Sequence, residues 1–441
     1  MLFMAIASGS IGAGLAYFLT SKPFQQRALT AQEAEIFNRN QAEISAATAG
    51  LPELTRPVNI LVMGTILLTG DLPNAPEVPR EGYLAQVEHN LNGMSDAMLL
   101  MRFDPLAKQV VVLSIPRDTL TNVPTLGQVK INAANYVGGA PLAARAVSQM
   151  LGNITIDRYV RVNVQGFGQL IDALGGVEVD LPQPMKYQDD SQRLYINLPA
   201  GRQRLDGNRA IQYMRFRQDG MGDIGRVQRQ QQFLRALISQ KLSLSLIPRL
   251  PDILAVVQQN LDTNLSVEEL LALGAFAARA QRQQFKLVMV PGRFSEPWEY
   301  SLSYWLPDTQ RLAVVMDQYF GVPRHRFGAV EPGTSDAAGV RVVVQDWTGQ
   351  APFRQRAIAR LQQAGLTPIA GDHLGQPTPP KVTQIVAQNG DVASAERVRA
   401  ALGMGEVVVE STGDLDSDVT VRLGLDWQRA VPGPKPELQS S

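Results

Sequence analysis

The sequence predicts an α/β protein: a central mixed sheet flanked by helices, followed by a small α/β C-terminal domain. Three observations predict it. Apolar runs of strand length alternate with segments of helical pattern between residues 58 and 181. Two of those runs, 98–103 and 110–115, are joined by Asp104-Pro105-Leu106-Ala107-Lys108, which reads as a hairpin turn. A compositional linker beginning at Gly328 precedes a second alternation of strands and helices. That second stretch has about 90 residues, a normal small-domain size.

Taken in order, residues 2–19 are almost wholly apolar and uncharged, with small residues at Gly9, Gly12 and Gly14. Their length fits a short membrane span and also a signal-peptide core. No Lys or Arg precedes the run, while Lys22 and Arg27 follow it, the reverse of positive-inside orientation; a start further upstream would reconcile the two. No small-x-small cleavage site follows, so residues 1–20 are expected to be an uncleaved membrane anchor. Residues 21–55, rich in Gln, Ala and Glu, read as a polar helical stalk.

The larger domain is expected over 56–327. It opens with a strand at 58–63 ended by Gly64, then a turn-rich loop over 72–92 and the hairpin. A helix at 140–150, a strand at 159–164, a helix at 166–173 and a strand at 177–181 after Gly175-Gly176 complete the pattern. After the linker, 328–338, the C-terminal domain spans 339–428. Its strands are expected at 340–345, 383–387, 407–409 and 419–423, and its helices at 352–364 and 394–402, with Gly365-Leu366-Thr367 as a stop. The tail, 429–441, has three prolines and is expected to be disordered. Trp298, Trp305, Trp347 and Trp427 are expected in cores or domain interfaces.

Composition removes several functions. The formal net charge is zero, with 41 basic and 41 acidic residues, which argues against a general nucleic-acid binder. The absence of cysteine removes disulfides, thiol catalysis and zinc–thiolate sites. His89, His325 and His373 are scattered, which disfavours a histidine metal cluster.

One local imbalance stands out in this neutral chain. Eight arginines and no lysine fall between Arg202 and Arg235, with only three acids, Asp206, Asp219 and Asp223. If Tyr213-Met214-Arg215-Phe216-Arg217 is extended, its alternation puts Arg215 and Arg217 on one strand face. A Gly-rich turn follows, then a helix from about Ile224 on which Arg226 and Gln230 lie four apart. Guanidinium groups match paired phosphate oxygens bidentately, so this block suggests a site for a multiply charged phosphate. Three further segments carry candidate chemistry: Ser95-Asp96, Ser114-Ile115-Pro116-Arg117-Asp118 at a strand end, and Lys130-Ile131-Asn132 after a loop. Asp223, at the helix start, also suits an N-cap, and Asp96 and Asp118 also suit turns.

In order and spacing these segments resemble the LytR-CpsA-Psr family of cell-envelope ligases. The resemblance includes Leu174-Gly175-Gly176-Val177-Glu178-Val179, Leu205-Asp206-Gly207 and Arg226-x-x-Arg229-Gln230, and covers roughly residues 58–242. The C-terminal segment ending in Asp418 to Trp427 is similar to the domain often found behind the catalytic one in that family.

The resemblance implies a single-pass protein of the inner or cytoplasmic membrane, its catalytic domain on the periplasmic or extracellular side. The implied reaction moves a glycopolymer from a polyprenyl-pyrophosphate carrier to a peptidoglycan sugar hydroxyl, releases polyprenyl phosphate and uses Mg²⁺. Under that resemblance Arg117, Asp118 and Asp223 are catalytic. Arg117, Lys130, Arg215, Arg217, Arg226 and Gln230 hold the pyrophosphate, and Asp96 and Asp118 hold the metal. A long apolar cleft is expected beside them, walled by the helices around 140–150 and 231–242.

Two positions depart from the family pattern. Ile66 stands where an acid is usual after Gly64, and Met94 stands where Arg usually precedes Ser-Asp. The first removes a metal ligand unless Asp71 replaces it; the second removes a phosphate contact. These departures keep two alternatives open, a polyprenyl-pyrophosphate phosphohydrolase and a non-catalytic binder of lipid-linked pyrophosphate.

Overall fold

A computed structural model of the chain describes residues 29–37, 43–46, 52–66, 91–190, 194–216, 222–241, 249–328, 340–349, 351–372, 378–414 and 417–430. In chain order the first half contains α1 (Ala31–Phe37), β1 (Ser45–Ala46), β2 (Glu53–Leu54), β3 (Val58–Ile66), β4 (Met94–Asp104) and β5 (Gln109–Ile115). There follow β6 (Leu120–Val123), β7 (Gly127–Lys130), α2 (Ala133–Met150), β8 (Arg158–Asn163), α3 (Val164–Ala173), β9 (Val177–Leu181) and β10 (Met185–Asp189). Next come β11 (Leu194–Leu198), β12 (Gly201–Leu205), α4 (Gly207–Arg215), α5 (Gly222–Lys241), α6 (Leu250–Asn260), β13 (Leu261–Thr263) and α7 (Val267–Arg279). The larger unit closes with β14 (Phe285–Met289), β15 (Gly292–Phe294), β16 (Trp305–Pro307) and α8 (Thr309–Phe320). The C-terminal unit contains β17 (Arg341–Asp346), α9 (Ala351–Gln363), β18 (Thr367–Gly371), β19 (Gln384–Ala387), α10 (Val392–Leu402), β20 (Glu406–Val409), β21 (Val419–Leu423) and α11 (Leu425–Ala430).

The central sheet runs β13-β8-β3-β4-β5-β14 and is mixed: β3 is parallel to β8, β5 is parallel to β14, and the other pairs are antiparallel. Its central strands are predominantly apolar because both faces are covered. The two-residue period sends Leu61, Met63, Met98, Leu100, Val111 and Leu113 to one face, under α2. It sends Val58, Ile60, Phe103, Val110 and Val112 to the other, under α7 and the apolar residues Leu234 and Ile238 of α5. The C-terminal unit has its own mixed sheet in the order β18-β17-β21-β19-β20.

Several local expectations change. β3 does not stop at Gly64; it passes a bulge between Gly64 and Thr65 and stays paired with β4 to Ile66. Part of the expected polar stalk belongs to the core, since Phe37 of α1 is buried and its ring lies 5.1 Å from that of Tyr159. The stop at Gly365-Leu366-Thr367 is followed by strand β18, whose Pro368 is tolerated at the sheet edge. Among the described residues no helix is long and apolar enough to cross a membrane; the apolar run 2–19 lies outside them, as do the loop 72–90 and the tail from 431.

A separate lobe covers one end of the sheet. β9 pairs with β12, β10 pairs with β11, and these pack with α3 and α4 around Ile171, Leu181, Leu198, Leu205, Tyr213 and Phe233. Gly207 is required where α4 crosses α3, because a Cβ there would fall 2.2 Å from the Gly168 carbonyl oxygen. That close approach packs α4 against α3.

Candidate functional site

Three chain segments meet where β4 begins and β5 ends. The Asn132 amide donates to the Arg117 carbonyl at 3.3 Å, and the Ser95 amide donates to the Asn132 carbonyl at 3.4 Å. The Thr119 hydroxyl donates to the Pro116 carbonyl at 2.6 Å and shapes the turn that presents Arg117 and Asp118. Charges follow this backbone weave. Arg117 Nη1 lies 2.8 Å from Asp96 Oδ1, Arg117 Nε lies 3.4 Å from Asp118 Oδ2, and Lys130 Nζ lies 2.7 Å from Asp118 Oδ1. Lys130 also sits 5.6 Å from the Tyr304 ring centroid. All four charged side chains are mostly buried, Lys130 being the most accessible. Two cations and two carboxylates thus form one chain, Asp96–Arg117–Asp118–Lys130, which orients each group without leaving a buried charge unpaired.

Asp96 also faces a cleft of ≈ 130 Å³ beside this network. The cleft lining combines polar Asp96, Arg215, Arg226 and Gln230 with apolar Val162, Phe167, Leu194, Ile211 and Met214. Arg226 links the two regions: it also lines a smaller cavity with Pro116, Arg117, Asp118, Phe294 and Trp305. Of the residues singled out by sequence, the structure therefore gathers Asp96, Arg117, Asp118, Lys130, Arg215, Arg226 and Gln230 around one region. Arg217 lies outside the described residues, and for Asp223 only the backbone, in the first turn of α5, is described.

Two expectations about this region are corrected. Arg215 is not on a strand; it is the last residue of α4. Asp206 caps that helix, its carboxylate accepting from the Arg209 amide at 2.9 Å, and the cap starts a helix that overrides the alternating pattern. The cleft walls are not the helices around 140–150 and 231–242. α2 is committed to the sheet core through Ala140, Ala143, Ala144 and Val147, and the α5 segment beyond Gln230 packs Phe233, Leu234 and Ile238 into cores. The walls come instead from β8 and α3, the β10–β11 hairpin, and α4. A third correction concerns tryptophan: Trp305 and Trp427 are buried as expected, but Trp298 is 81% exposed on the loop between β15 and β16.

Supporting residues that sequence reasoning missed hold the cleft in shape. Arg161 pairs in the sheet with Asp262 across β8 and β13 and forms a buried ion pair with it; Tyr159 donates its hydroxyl to the same carboxylate at 3.1 Å. Asn135 donates to the Gly93 carbonyl at 2.7 Å, and the Arg161 guanidinium reaches Leu91 O at 3.3 Å, so both anchor the approach to Ser95-Asp96. Arg229 is buried under Phe216, 5.5 Å from its ring centroid, and burial lowers its pKa to about 10. The only advance signal was the arginine density; the partners are remote in sequence.

The donor set suits a hard cation only in part. Among the described residues no group of three or more His, Asp or Glu side chains stands at metal-holding distance. Asp96 and Asp118 do meet on one guanidinium, and two carboxylates completed by waters and substrate oxygens satisfy Mg²⁺. The hydroxyl of Ser95, next to Asp96, is buried and finds no hydrogen-bond partner among the described residues.

Residues 20–320 match the model described as the LytR_cpsA_psr family, and residues 339–427 match the LytR cell envelope-related transcriptional attenuator domain. The chain is 35% identical over 223 residues to polyisoprenyl-teichoic acid–peptidoglycan teichoic acid transferase TagU of Oceanobacillus iheyensis, covering 49% of this chain and 61% of the relative. It is 34% identical over 230 residues to the transferase TagV of Bacillus subtilis, covering 51% and 58%. The chain thus spans about three-fifths of the length of these relatives. In fold it is similar to a crystal structure from Streptococcus agalactiae, with a TM-score of 0.50 and 23% identity over 64% of this chain and 90% of the other.

Proposed function

This chain belongs to the LytR-CpsA-Psr family, and from that premise we propose that it transfers a glycopolymer from a polyprenyl-pyrophosphate carrier to a sugar hydroxyl of peptidoglycan. The observation that carries the reading is the cleft itself. Two arginines and a run of apolar side chains lining the same cleft match an amphiphile with a multiply charged head and a hydrocarbon tail. The curated relatives are named for transfer of teichoic acid to peptidoglycan, which agrees in substrate class.

In this reading Arg215, Arg226 and Gln230 bind the pyrophosphate, and Phe167, Ile211 and Met214 take the first part of the prenyl chain out of water. Arg117 and Lys130 face the charge that develops on the reacting phosphoryl oxygens, pre-oriented by Asp96 and Asp118. The acceptor hydroxyl oxygen bonds to the sugar-bearing phosphorus as the bond to the polyprenyl phosphate oxygen breaks. The hydroxyl proton passes to a carboxylate, for which we assign Asp223, three residues before Arg226 on α5. Asp96 and Asp118 would hold Mg²⁺, which supplies charge neutralisation at the phosphates. We further assign the protein to the cytoplasmic membrane with this domain on its outer side, from the apolar run at 2–19 and the lipid-linked donor.

The test is direct. The full chain in detergent is incubated with a polyprenyl-pyrophosphoryl oligosaccharide and peptidoglycan fragments. The transferase reading expects oligosaccharide phosphodiester-linked to glycan, together with polyprenyl phosphate. Free phosphosugar without glycan product would establish the hydrolase instead, and bound but unchanged donor would establish the binder.

A further inference from the structure

The C-terminal unit reaches the site through four residues, Glu410 to Gly413, that follow β20. Glu410 forms a parallel bridge with Leu287, and the Ser411 amide donates to the Leu287 carbonyl at 2.9 Å. The Met289 amide in turn donates to the Ser411 hydroxyl oxygen at 3.0 Å. This segment therefore extends the central sheet beyond its edge strand β14 and covers the exposed backbone there.

The same four residues grip α5. Gln228 donates from Nε2 to the Gly413 carbonyl at 2.7 Å, with both groups buried. Arg235 Nη1 lies 2.5 Å from the Glu410 carboxylate, which also accepts from Arg422 Nη1 of β21 at 3.0 Å and from the Thr412 hydroxyl at 2.6 Å. On the side of the larger unit, Gln231 Nε2 donates to the Ser114 hydroxyl at 3.3 Å. The C-terminal unit thus holds the helix at 228 and 235. The larger unit holds it at 229, 231, 232 and 240 and through the packing of Phe233, Leu234 and Ile238. Gln228 is the hold nearest to both Arg226 and Gln230 that comes from the C-terminal unit. Arg226 and Gln230, which line the cleft, sit on either side of Gln228. At 1.5 Å per residue each lies about 3 Å from it along the axis, so any shift of the helix at Gln228 carries both.

We propose that the C-terminal unit is a brace for the site: the segment Glu410 to Gly413 fixes the position of α5, and with it Arg226 and Gln230. Gln228, Arg235 and Glu410 are then positioning residues, touching no substrate. The brace rests on the pyrophosphate reading of the cleft only for what Arg226 and Gln230 do once placed. Bidentate recognition tolerates little displacement, so loss of the brace weakens binding without removing any ligand-contacting group.

The full chain, wild type and with Glu410→Gln, Gln228→Met, Arg235→Met or Arg235→Lys, is examined by two measurements. One is affinity for farnesyl pyrophosphate by calorimetry; the other is amide hydrogen exchange across residues 222–241. We expect Glu410→Gln, Gln228→Met and Arg235→Met to speed exchange in α5, leave β3–β5 protected, and weaken the probe about tenfold, which is about 1.4 kcal/mol of binding free energy. Arg235→Lys keeps the charge and is expected to recover most of both. Should one variant misfold throughout, loss of protection in β3–β5 identifies it, and Gln228→Met, which leaves every charge in place, decides the matter. Unchanged α5 exchange in Gln228→Met overturns the brace, and so does faster exchange with undiminished probe affinity. If the wild type binds no probe, the pyrophosphate reading fails by itself; the brace then stands or falls on the exchange data alone.

Discussion

Ile66 and Met94 are cross-strand register partners, the last pair of the β3–β4 ladder beyond the bulge at Gly64. These are the two positions where the sequence departs from the pattern it resembles, each carrying an apolar residue where that pattern has a charged one. The register places the two departures opposite one another in the ladder, so a charge introduced at one of them alone would face no opposite charge at the paired position.

That pairing predicts an asymmetric response to reversal. Met94→Arg with Ile66→Asp should bind a polyprenyl pyrophosphate several-fold tighter than wild type, because the pair restores a cation beside Asp96. Met94→Arg alone should be less stable than the double variant by roughly 0.5–1 kcal/mol, the worth of a cross-strand charge pair. Denaturant titration and calorimetry of the three proteins check this; additive effects would show that the positions are independent.

Arg117 and Arg226 should be the most costly single losses. Arg117→Ala or Arg226→Ala is expected to lower the transfer rate about 10²- to 10³-fold, the range for removing one preorganised donor from a developing negative charge. Lysine at 226 should recover little, since it cannot present a planar fork. Steady-state kinetics with the lipid-linked donor measure it.

The apolar wall makes a chain-length prediction. Wild-type affinity for prenyl pyrophosphates should rise from dimethylallyl to geranylgeranyl, because each buried CH₂ contributes about 0.8 kcal/mol. Met214→Glu or Ile211→Glu should flatten that rise and leave affinity for inorganic pyrophosphate nearly unchanged. A steep rise that survives both substitutions would place the tail elsewhere.

Acid should release the C-terminal brace before it unfolds the sheet. Burial pushes the Glu410 carboxyl up, but Arg235 and Arg422 outweigh it and hold it below its ordinary range. With the folded value depressed, its stabilising contribution is complete above the unfolded value of about 4.3 and is lost as pH falls through the folded one. Hydrogen exchange in α5, corrected for intrinsic rates, should therefore be flat from pH 7 to about 4.5 and quicken below about 4. Glu410→Gln should remove that pH dependence.

Magnesium should bind weakly by itself and more tightly with pyrophosphate present, since among the described residues only Asp96 and Asp118 converge and substrate oxygens must complete the shell. Calorimetric titration with and without farnesyl pyrophosphate tests this. Tight binding without the phosphate would point to a further carboxylate, with Asp71 the first to substitute.

The fold class was legible because its cause is local. Strands β3, β4 and β5 contribute apolar side chains to cores on both faces, so they read as predominantly apolar runs, and the Asp104-Pro105 turn marks the β4–β5 hairpin. Arg117 and Asp118 were legible for a similar reason, standing where an apolar run meets polar residues. The reading of Tyr213 to Arg217 as a strand failed because a two-residue alternation over five residues is weaker than the helix begun by Asp206.

By itself, then, the sequence determined the fold class, the two α/β units, and several of the charged side chains that gather at the strand ends; propensity, periodicity and capping act over a few residues. Only the tertiary structure decided which elements wall the cleft, that Ile66 meets Met94, and that Glu410 reaches Arg235. Those are contacts between segments far apart in the chain, set by how α3, α4 and the β10–β11 hairpin fold over the strand ends and how the C-terminal unit seats on β14. Which distant partner a side chain meets depends on burying both surfaces together, and no local pattern records it.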